Sequence, residues 1–378
     1  MKYKKVKLGE VCTMLSGFAW SAKQFKKNGK MPIIRIQNMG TNKSDDFIYW
    51  NEKYDDKFVI KTNDLLLSLS GSIKIDYWSG VDALLNQRIV KISPNVGTEN
   101  RWFFWQISNE LKRIERMGKL ALVNNVSIID LKNLEIPLPD LPTQRHIAEV
   151  LDKADALRQQ NRQLLALYDQ LLQSTFIELF GDPVKNPKGW EVKKLGEVCD
   201  ARLGKMLDSK KQTGLSKFKY LGNSNVLWGR FKLDDLMEMD FTEKERQEVS
   251  LKKGDLLICE GGEVGRCAIW KEELEDCYFQ KAIHRVRLHL NIMIPDYLQF
   301  LMWFYAKNGG LKDFVTVATI AHLTGVKLKS LPIPVPPLPL QEHFAKIVEQ
   351  IEVQKAQVGR SLAESEALFA GLLAGYFG

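Results

Sequence analysis

An acidic residue followed by a Glu-x-Lys triplet can hold a divalent metal for phosphodiester hydrolysis, and Asp182 with Glu191-Val-Lys193 supplies those residue types. Their setting argues against that use. Asp182 falls in the turn after a helical stretch, and Glu191-Val-Lys193 stands where a matching stretch near the N-terminus reads Lys4-Lys5-Val6. Other catalytic patterns fail as well. Gly118-Lys119 and Gly204-Lys205 lack the preceding glycine of a phosphate loop, and Gly261-Gly262-Glu-Val-Gly265 leads into a strand-like run, not a helix. Asn186-Pro187 is followed by Lys188, which breaks the Asn-Pro-Pro-aromatic pattern of adenine methylation. The five histidines have no partners at ligand spacing, and the five cysteines fit neither a disulfide framework nor paired Cys-x-x-Cys zinc ligands. The residue types that remain are those of binding.

The elements that must present them begin with charge. The chain has 378 residues, 45% apolar and 26% charged, enough for two to three ordinary domains with real cores. No apolar run approaches the ~20 residues of a membrane span. Met1-Lys-Tyr-Lys-Lys has no apolar segment behind it, so the expectation is a reduced, cytoplasmic protein without a signal peptide. The net charge of +8 is uneven: residues 1–140 carry +7 and 186–335 carry +4, whereas 141–185 carry −1 and 336–378 carry −2. The positive balance points to a polyanion partner, and its division into two basic segments separated by slightly acidic ones is a first sign of organisation.

The same division appears as a tandem repeat. Lys7-Leu-Gly-Glu-Val-Cys12 recurs as Lys194-Leu-Gly-Glu-Val-Cys199, Asp64-Leu-Leu-Leu67 as Asp255-Leu-Leu-Ile258, and Ile136-Pro-Leu-Pro-Asp-Leu-Pro-Thr-Gln144 as Ile333-Pro-Val-Pro-Pro-Leu-Pro-Leu-Gln341. The offset drifts from 187 to 197 across the large segments and then stays at 197 through Phe180-Gly181 and Phe377-Gly378. Loop-rich segments absorb insertions, and a helix matched to a partner along its length does not. The short segments accordingly read as long helices, each starting after a proline-rich piece and ending at Phe-Gly. The expected apolar seam runs Ile147, Val150, Ala154, Leu157, Asn161, Leu164, Tyr168 and Leu171 in the first, with Leu151, Leu165 and Leu172 beside it. In the second it runs Phe344, Ile347, Ile351, Val358, Leu368 and Leu372. Two such rods of about 55 Å should pair as an antiparallel coiled coil about a pseudo-twofold axis. Asn161 is either a buried polar residue that sets register or an exposed position on an imperfect stripe. The large segments read as mixed α+β units, with strands near 33–36, 64–69, 89–92, 256–259 and 285–290. Each has one aromatic helix, near 102–116 and 297–307, whose rings are expected in the core, with stacking on nucleic acid as the alternative.

Two units opening on Lys-Leu-Gly-Glu-Val, each ending in an Ile-Pro-x-Pro-x-x-Pro-x-Gln step into a long helix, resemble the specificity subunit of type I restriction–modification enzymes over essentially the whole chain. The resemblance implies target recognition domains at 1–140 and 186–335, with spacer helices in 141–185 and 336–378. It implies that each domain reads half of a bipartite sequence in double-stranded DNA. It also implies that the helices dock two methyltransferase subunits, with two restriction subunits in a complete assembly. Catalysis and cofactors then belong to those partners: S-adenosylmethionine to the methyltransferase, ATP and magnesium to a nuclease and translocase. This chain is expected to hold none and to act away from membranes. Because the two units differ outside their shared motifs, the target should be asymmetric.

Base edges are read by Arg, Lys, Asn and Gln, and phosphates by Lys, Arg and Ser. The candidates beside the shared strands are Arg35, Gln37, Asn38, Ser70, Ser72, Lys74, Gln87, Arg88, Asn124 and Asn125 in the first unit. In the second they are Asn223, Asn225, Arg230, Glu263, Arg266, Gln280, Lys281 and His322. A solvated or structural role competes with base contact at each, and Asn38 and Gln87 can also cap turns. Lys23, Lys26, Lys27 and Lys30 form a basic run that is either a solvated loop or a phosphate contact. Two other classes of function stay open on sequence alone: an autonomous nuclease or methyltransferase, and a coiled-coil scaffold indifferent to DNA.

Overall fold

The Leu-Gly-Glu-Val motif and the proline-rich motif, far apart in each copy, are bonded to one another in the computed structural model, which describes residues 3–40, 47–120, 126–208, 212–317 and 321–378. Strand Lys4–Lys7 pairs antiparallel with Glu135–Leu138, and Glu191–Lys194 pairs likewise with Pro332–Val335. Each is a two-stranded ribbon, in which a proline without its N–H costs no interior ladder bond. The next turn buries Leu8 and Val11, or Leu195 and Val198, and leads into a strand at Cys12 or Cys199. All five cysteines are free and buried, and burial pushes the Cys12 and Cys199 thiols up to about 12.

That strand edges a four-stranded antiparallel sheet of one topology in both copies. The order is Cys12–Ser16, Ile89–Pro94, Leu65–Ser68, Ile75–Tyr77 in the first and Cys199–Leu203, Ile283–Leu288, Leu256–Cys259, Cys267–Ile269 in the second. A second sheet accompanies each, four-stranded around Met31–Ile33 in the first copy and three-stranded around Lys217–Leu221 in the second. The strand expected over 33–36 stops at Ile33, because the chain enters a 3-10 turn at Ile36–Asn38. The aromatic helices run Asn100–Leu120 and Pro295–Asn308, and Trp102, Phe103, Trp105, Tyr297 and Tyr305 are buried in the cores.

The long helices, α1 (Leu141–Phe180) and α2 (Leu338–Phe377), have 40 residues each, with both ends 197 apart. The chain divides into two units: Met1–Arg162 with Arg360–Gly378, and Gln163–Gly359. Unit 1 therefore includes the first half of α1 and the end of α2, and unit 2 the end of α1 and the first half of α2. In each the halves run antiparallel. In unit 1, Arg162 pairs with Glu366 at 2.6 Å; in unit 2, Lys355 pairs with Asp169 at 2.9 Å.

The seam differs from the one read off the sequence. Ile147, Ala154, Asn161, Phe344 and Ile351 are buried, and Val150, Tyr168, Ile347, Val358 and Leu372 are half-buried. Leu157, Leu164, Leu171 and Leu368 are exposed. The seam takes the neighbouring column, Leu151, Arg158, Leu165 and Leu172, matched by Val348, Lys355, Leu362 and Phe369 in α2. Both columns of α1 have a 7-residue period and three apolar members or more, so periodicity could not choose between them. Packing admits Arg158 because its guanidinium lies 3.8 Å from the Phe369 ring centre, while its charge meets Asp155. Asn161 is buried, and its Nδ2 donates to Ser361 Oγ at 3.2 Å.

Gln144 and Gln341 tie each helix to its globular segment. Gln341 is fully buried; its Oε1 accepts from Ile294 N at 3.0 Å and its Nε2 donates to Ile292 O and Pro336 O at 3.0 and 2.7 Å. Gln144 repeats the pattern on Glu99 and Pro139. Gln341→Ala should cost about 1–3 kcal/mol by leaving these groups unmet. Urea unfolding would show a lower midpoint at unchanged slope, and an unchanged midpoint would contradict the account.

Candidate nucleic-acid interface

In unit 2 the loops at one end of the four-stranded sheet converge. The turn after Lys217–Leu221 is fixed by Asn225, whose buried Oδ1 accepts from Gly222 N at 2.9 Å. Asn223, in the same turn, donates from Nδ2 to Gly261 O at 3.1 Å, and Arg266 donates from Nη2 back to Asn223 O at 2.7 Å. Gly261 bridges to His322, and Gln280 N donates to Leu221 O at 3.1 Å. Thus Asn223, Asn225, Glu263, Arg266, Gln280, Lys281 and His322 come together, although they span a hundred positions. Arg230 follows in the adjoining hairpin, whose Gly229 N donates to Cys267 O at 2.9 Å.

Several of these side chains are occupied. Glu263 accepts from Trp228 Nε1 at 2.8 Å and pairs with Lys307 at 2.9 Å, and Lys307 foremost, with Trp228, holds its carboxyl below the usual range. Arg266 is turned to Asn223. Trp228 and Lys307 were not singled out from sequence; only the close approach of separate loops reveals them. His284 is buried behind the site, donating from Nε2 to Leu323 O at 3.0 Å, and burial drives its pKa down. Since the unfolded ring has a pKa near ~6.5 and the folded ring a lower one, this group's contribution is whole above that value and falls as the pH drops below it. Between pH 7.5 and 5.5 the melting temperature should fall more for the native chain than for His284→Asn; equal falls would remove His284 from the account.

Unit 1 has the same arrangement. Asn38 is buried and its Oδ1 accepts from Arg35 N at 2.9 Å, so it caps its turn as Asn225 does. Ser70 is buried, Gln37 and Ser72 are exposed, and Arg35 and Lys74 are half-buried. Gln87 and Arg88 are exposed on the next loop, bonded through Arg88 O to Leu69 N at 2.9 Å. Asn124 and Asn125 lie outside the described residues. Lys23, Lys26, Lys27 and Lys30 are all exposed.

Buried polar atoms without a hydrogen bond occur in these loops, at Asn38 Nδ2 and Ser70 Oγ in unit 1 and Asn223 Oδ1 and Arg266 Nε in unit 2, and also away from them, at Trp102, Gln106, Arg246 and Arg285. The acidic triplet is otherwise engaged: Glu191 pairs with Lys193 at 2.6 Å, and Asp182 Oδ1 accepts from Val184 N at 2.9 Å. Among the described residues no cluster of three or more His, Cys, Asp or Glu could hold a metal.

The chain is similar to known proteins over nearly its whole length. A family model described as the type I restriction modification DNA specificity domain matches residues 1–166 and again 187–358. The chain is 22% identical to the type I restriction enzyme EcoBI specificity subunit of Escherichia coli, over 99% of this chain and 85% of that one. It is 23% identical to the EcoKI specificity subunit of E. coli K12, over 97% and 86%. Its fold superposes on the crystal structure of a type I restriction–modification S subunit from M. genitalium with a TM-score of 0.62 at 17% identity, covering 100% of this chain and 96% of that one.

Proposed function

The chain belongs to the type I restriction modification DNA specificity family, and we propose that its two units each read one half of an asymmetric, bipartite sequence in double-stranded DNA. The observation that carries this reading is the duplicated loop cluster: one scaffold, used twice, presenting different polar side chains. The family's role is recognition, and methyl transfer and strand cleavage fall to partner subunits that bring their own cofactors. Two methyltransferase subunits dock along the paired helices, where the exposed Leu157, Leu164 and Leu171 of α1 offer apolar contact. Restriction subunits complete the assembly. Equal helices that tolerate no insertion fix the gap between half-sites, since spacing in such readers follows from protein geometry. Five buried, free thiols suit the reducing cytoplasm, and no helix among the described residues is long and apolar enough to cross a membrane.

The test is methylation sequencing of DNA from cells that express this chain with its methyltransferase partner. One asymmetric motif with a fixed gap is the expected result, and exchanging residues 186–335 for another such unit should alter one half alone. Alteration of both halves would end the two-reader account. The lysine run makes a separate prediction. Replacing Lys23, Lys26, Lys27 and Lys30 with glutamine should weaken binding to any DNA and reduce the slope of log K against log salt by as much as ~3–4. An unchanged slope would leave the run as solvated loop.

A further inference from the structure

The two candidate interfaces share a backbone slot that holds different residues. In unit 1, Gly17 N donates to Ile89 O, Phe18 N to Leu85 O, Gln87 N to Phe18 O, Ile89 N to Asn86 O, and Leu69 N to Arg88 O, all between 2.9 and 3.0 Å. Unit 2 repeats this bond for bond. Gly204 N donates to Ile283 O, Lys205 N to Phe279 O, Lys281 N to Lys205 O, Ile283 N to Gln280 O, and Glu260 N to Ala282 O, between 2.7 and 3.3 Å. The equivalence makes Asn86-Gln87-Arg88 the counterpart of Gln280-Lys281-Ala282, at an offset of 194 that neither flanking motif has.

The slot is rigid. A Cβ on Gly17 would lie 2.1 Å from Asn86 O, and one on Gly204 would lie 2.3 Å from Gln280 O, so glycine is required at the same place in both copies. Ala282 sits at φ 89°, a left-handed backbone that alanine adopts only where its surroundings impose it. On one flank lie Phe18 or Lys205; on the other Leu69 or Glu260, which accept in turn from Val126 N or Leu323 N. The slot is therefore the centre of the loop cluster, while Asn38, Asn225, Glu263 and Arg266 brace the loops around it. Within it Asn86 Oδ1 accepts from Gln87 N at 2.8 Å, which leaves Gln87 and Arg88 exposed, with no side-chain partner among the described residues.

Resting on the reading that each unit recognises half of a DNA site, we propose that this slot is the specificity-determining element of each half-site. A backbone bonded alike in both copies, left-handed at Ala282 in unit 2 alone, carries exchangeable side chains and lets a reader change bases without refolding. In unit 1 it offers the guanidinium fork of Arg88, suited to the O6 and N7 edge of guanine, and the amide of Gln87, suited to adenine. In unit 2 a methyl group replaces the fork, and the cation moves one position back to Lys281 beside the Gln280 amide. The two halves must then differ in the base pairs that face the slot.

The experiment is methylation sequencing with the whole chain and its methyltransferase partner in cells, comparing Gln87→Ala/Arg88→Ala, Gln280→Ala/Lys281→Ala and Arg88→Lys. Each double variant should relax one or two base positions in one half by roughly tenfold or more, with the other half and the gap unchanged. Arg88→Lys retains the charge and loses the fork, so it should relax a base in the unit 1 half; a phosphate contact would leave the motif intact. An unaltered motif in all three variants, or relaxation of both halves together, overturns the proposal. If a double variant abolishes methylation, Arg88→Lys decides between the same two results. A native chain that gives no bipartite motif would instead overturn the two-reader account itself.

Discussion

Phe176→Ala should lower the stability of unit 2 by about 3–5 kcal/mol, the range for removing a fully buried aromatic side chain from a packed core. Phe176 lies near the end of α1, yet its ring is 2% exposed and packs on Phe180, Tyr297, Phe300 and Phe344, with ring centres 5.0, 5.7, 6.2 and 5.5 Å away. A helix that begins in unit 1 thus completes the core of unit 2, and truncation leaves a cavity among four rings. For a unit of this size the loss corresponds to a melting temperature roughly 6–20 °C lower. Calorimetry should show the unit 2 transition displaced and the unit 1 transition nearly unmoved. If neither moved, the end of α1 would not belong to that core.

Asp255→Ala should cost less, and by a different mechanism. Its side chain is 1% exposed, and its two oxygens accept from Arg287 Nε and Nη2 at 2.7 Å each. Oδ2 also accepts from Lys252 N at 2.7 Å. Removing the carboxylate strands Arg287 beside Arg285, a guanidinium whose pKa is lowered by burial and by Arg287 itself. Arg287 itself keeps 31% exposure, so water takes up part of the charge left behind, and the cost should be about 1.5–3 kcal/mol, that of losing charge-assisted hydrogen bonds to a buried carboxylate. The counterpart in unit 1, Asp64, meets Lys91 at 2.7 Å with both side chains partly in water, so Asp64→Ala should cost about 1 kcal/mol or less. Chemical denaturation of both variants tests the contrast. Equal losses would refute it, and Asp255→Ala/Arg287→Ala should recover part of the larger one.

The Asp-Leu-Leu repeat that contains these two residues was visible in the sequence, and so were the unit count, the matched helices and their termini. Those features repeat at nearly fixed offsets, and their causes are local: proline before the helix, Phe-Gly at its end, buried leucines in a short strand. The seam was legible only in part. Leu157 and Leu164 look like core on α1 alone, but their counterparts in α2 are Gln354 and Ser361. Aligning the helices at 197 does not decide between the columns, because the packed one also pairs Arg158 with Lys355; only contacts such as that of Arg158 with the Phe369 ring do. Among the candidate contacts, residue type nominated Glu263 and Arg266 equally with Gln87 and Arg88. Type cannot reveal that Trp228, Lys307 and Asn223 already engage the first pair.

By itself the sequence determined that there are two units of one ancestry, joined through helices of equal length, because repeats and helix periodicity are properties of the chain taken in order. Only the tertiary structure decided which half-helix completes which core, which column of leucines faces the seam, and which candidate side chains their neighbours already engage. Those outcomes depend on contacts between segments up to two hundred residues apart. Their energies come from buried area and closed hydrogen bonds, which exist only once distant segments meet.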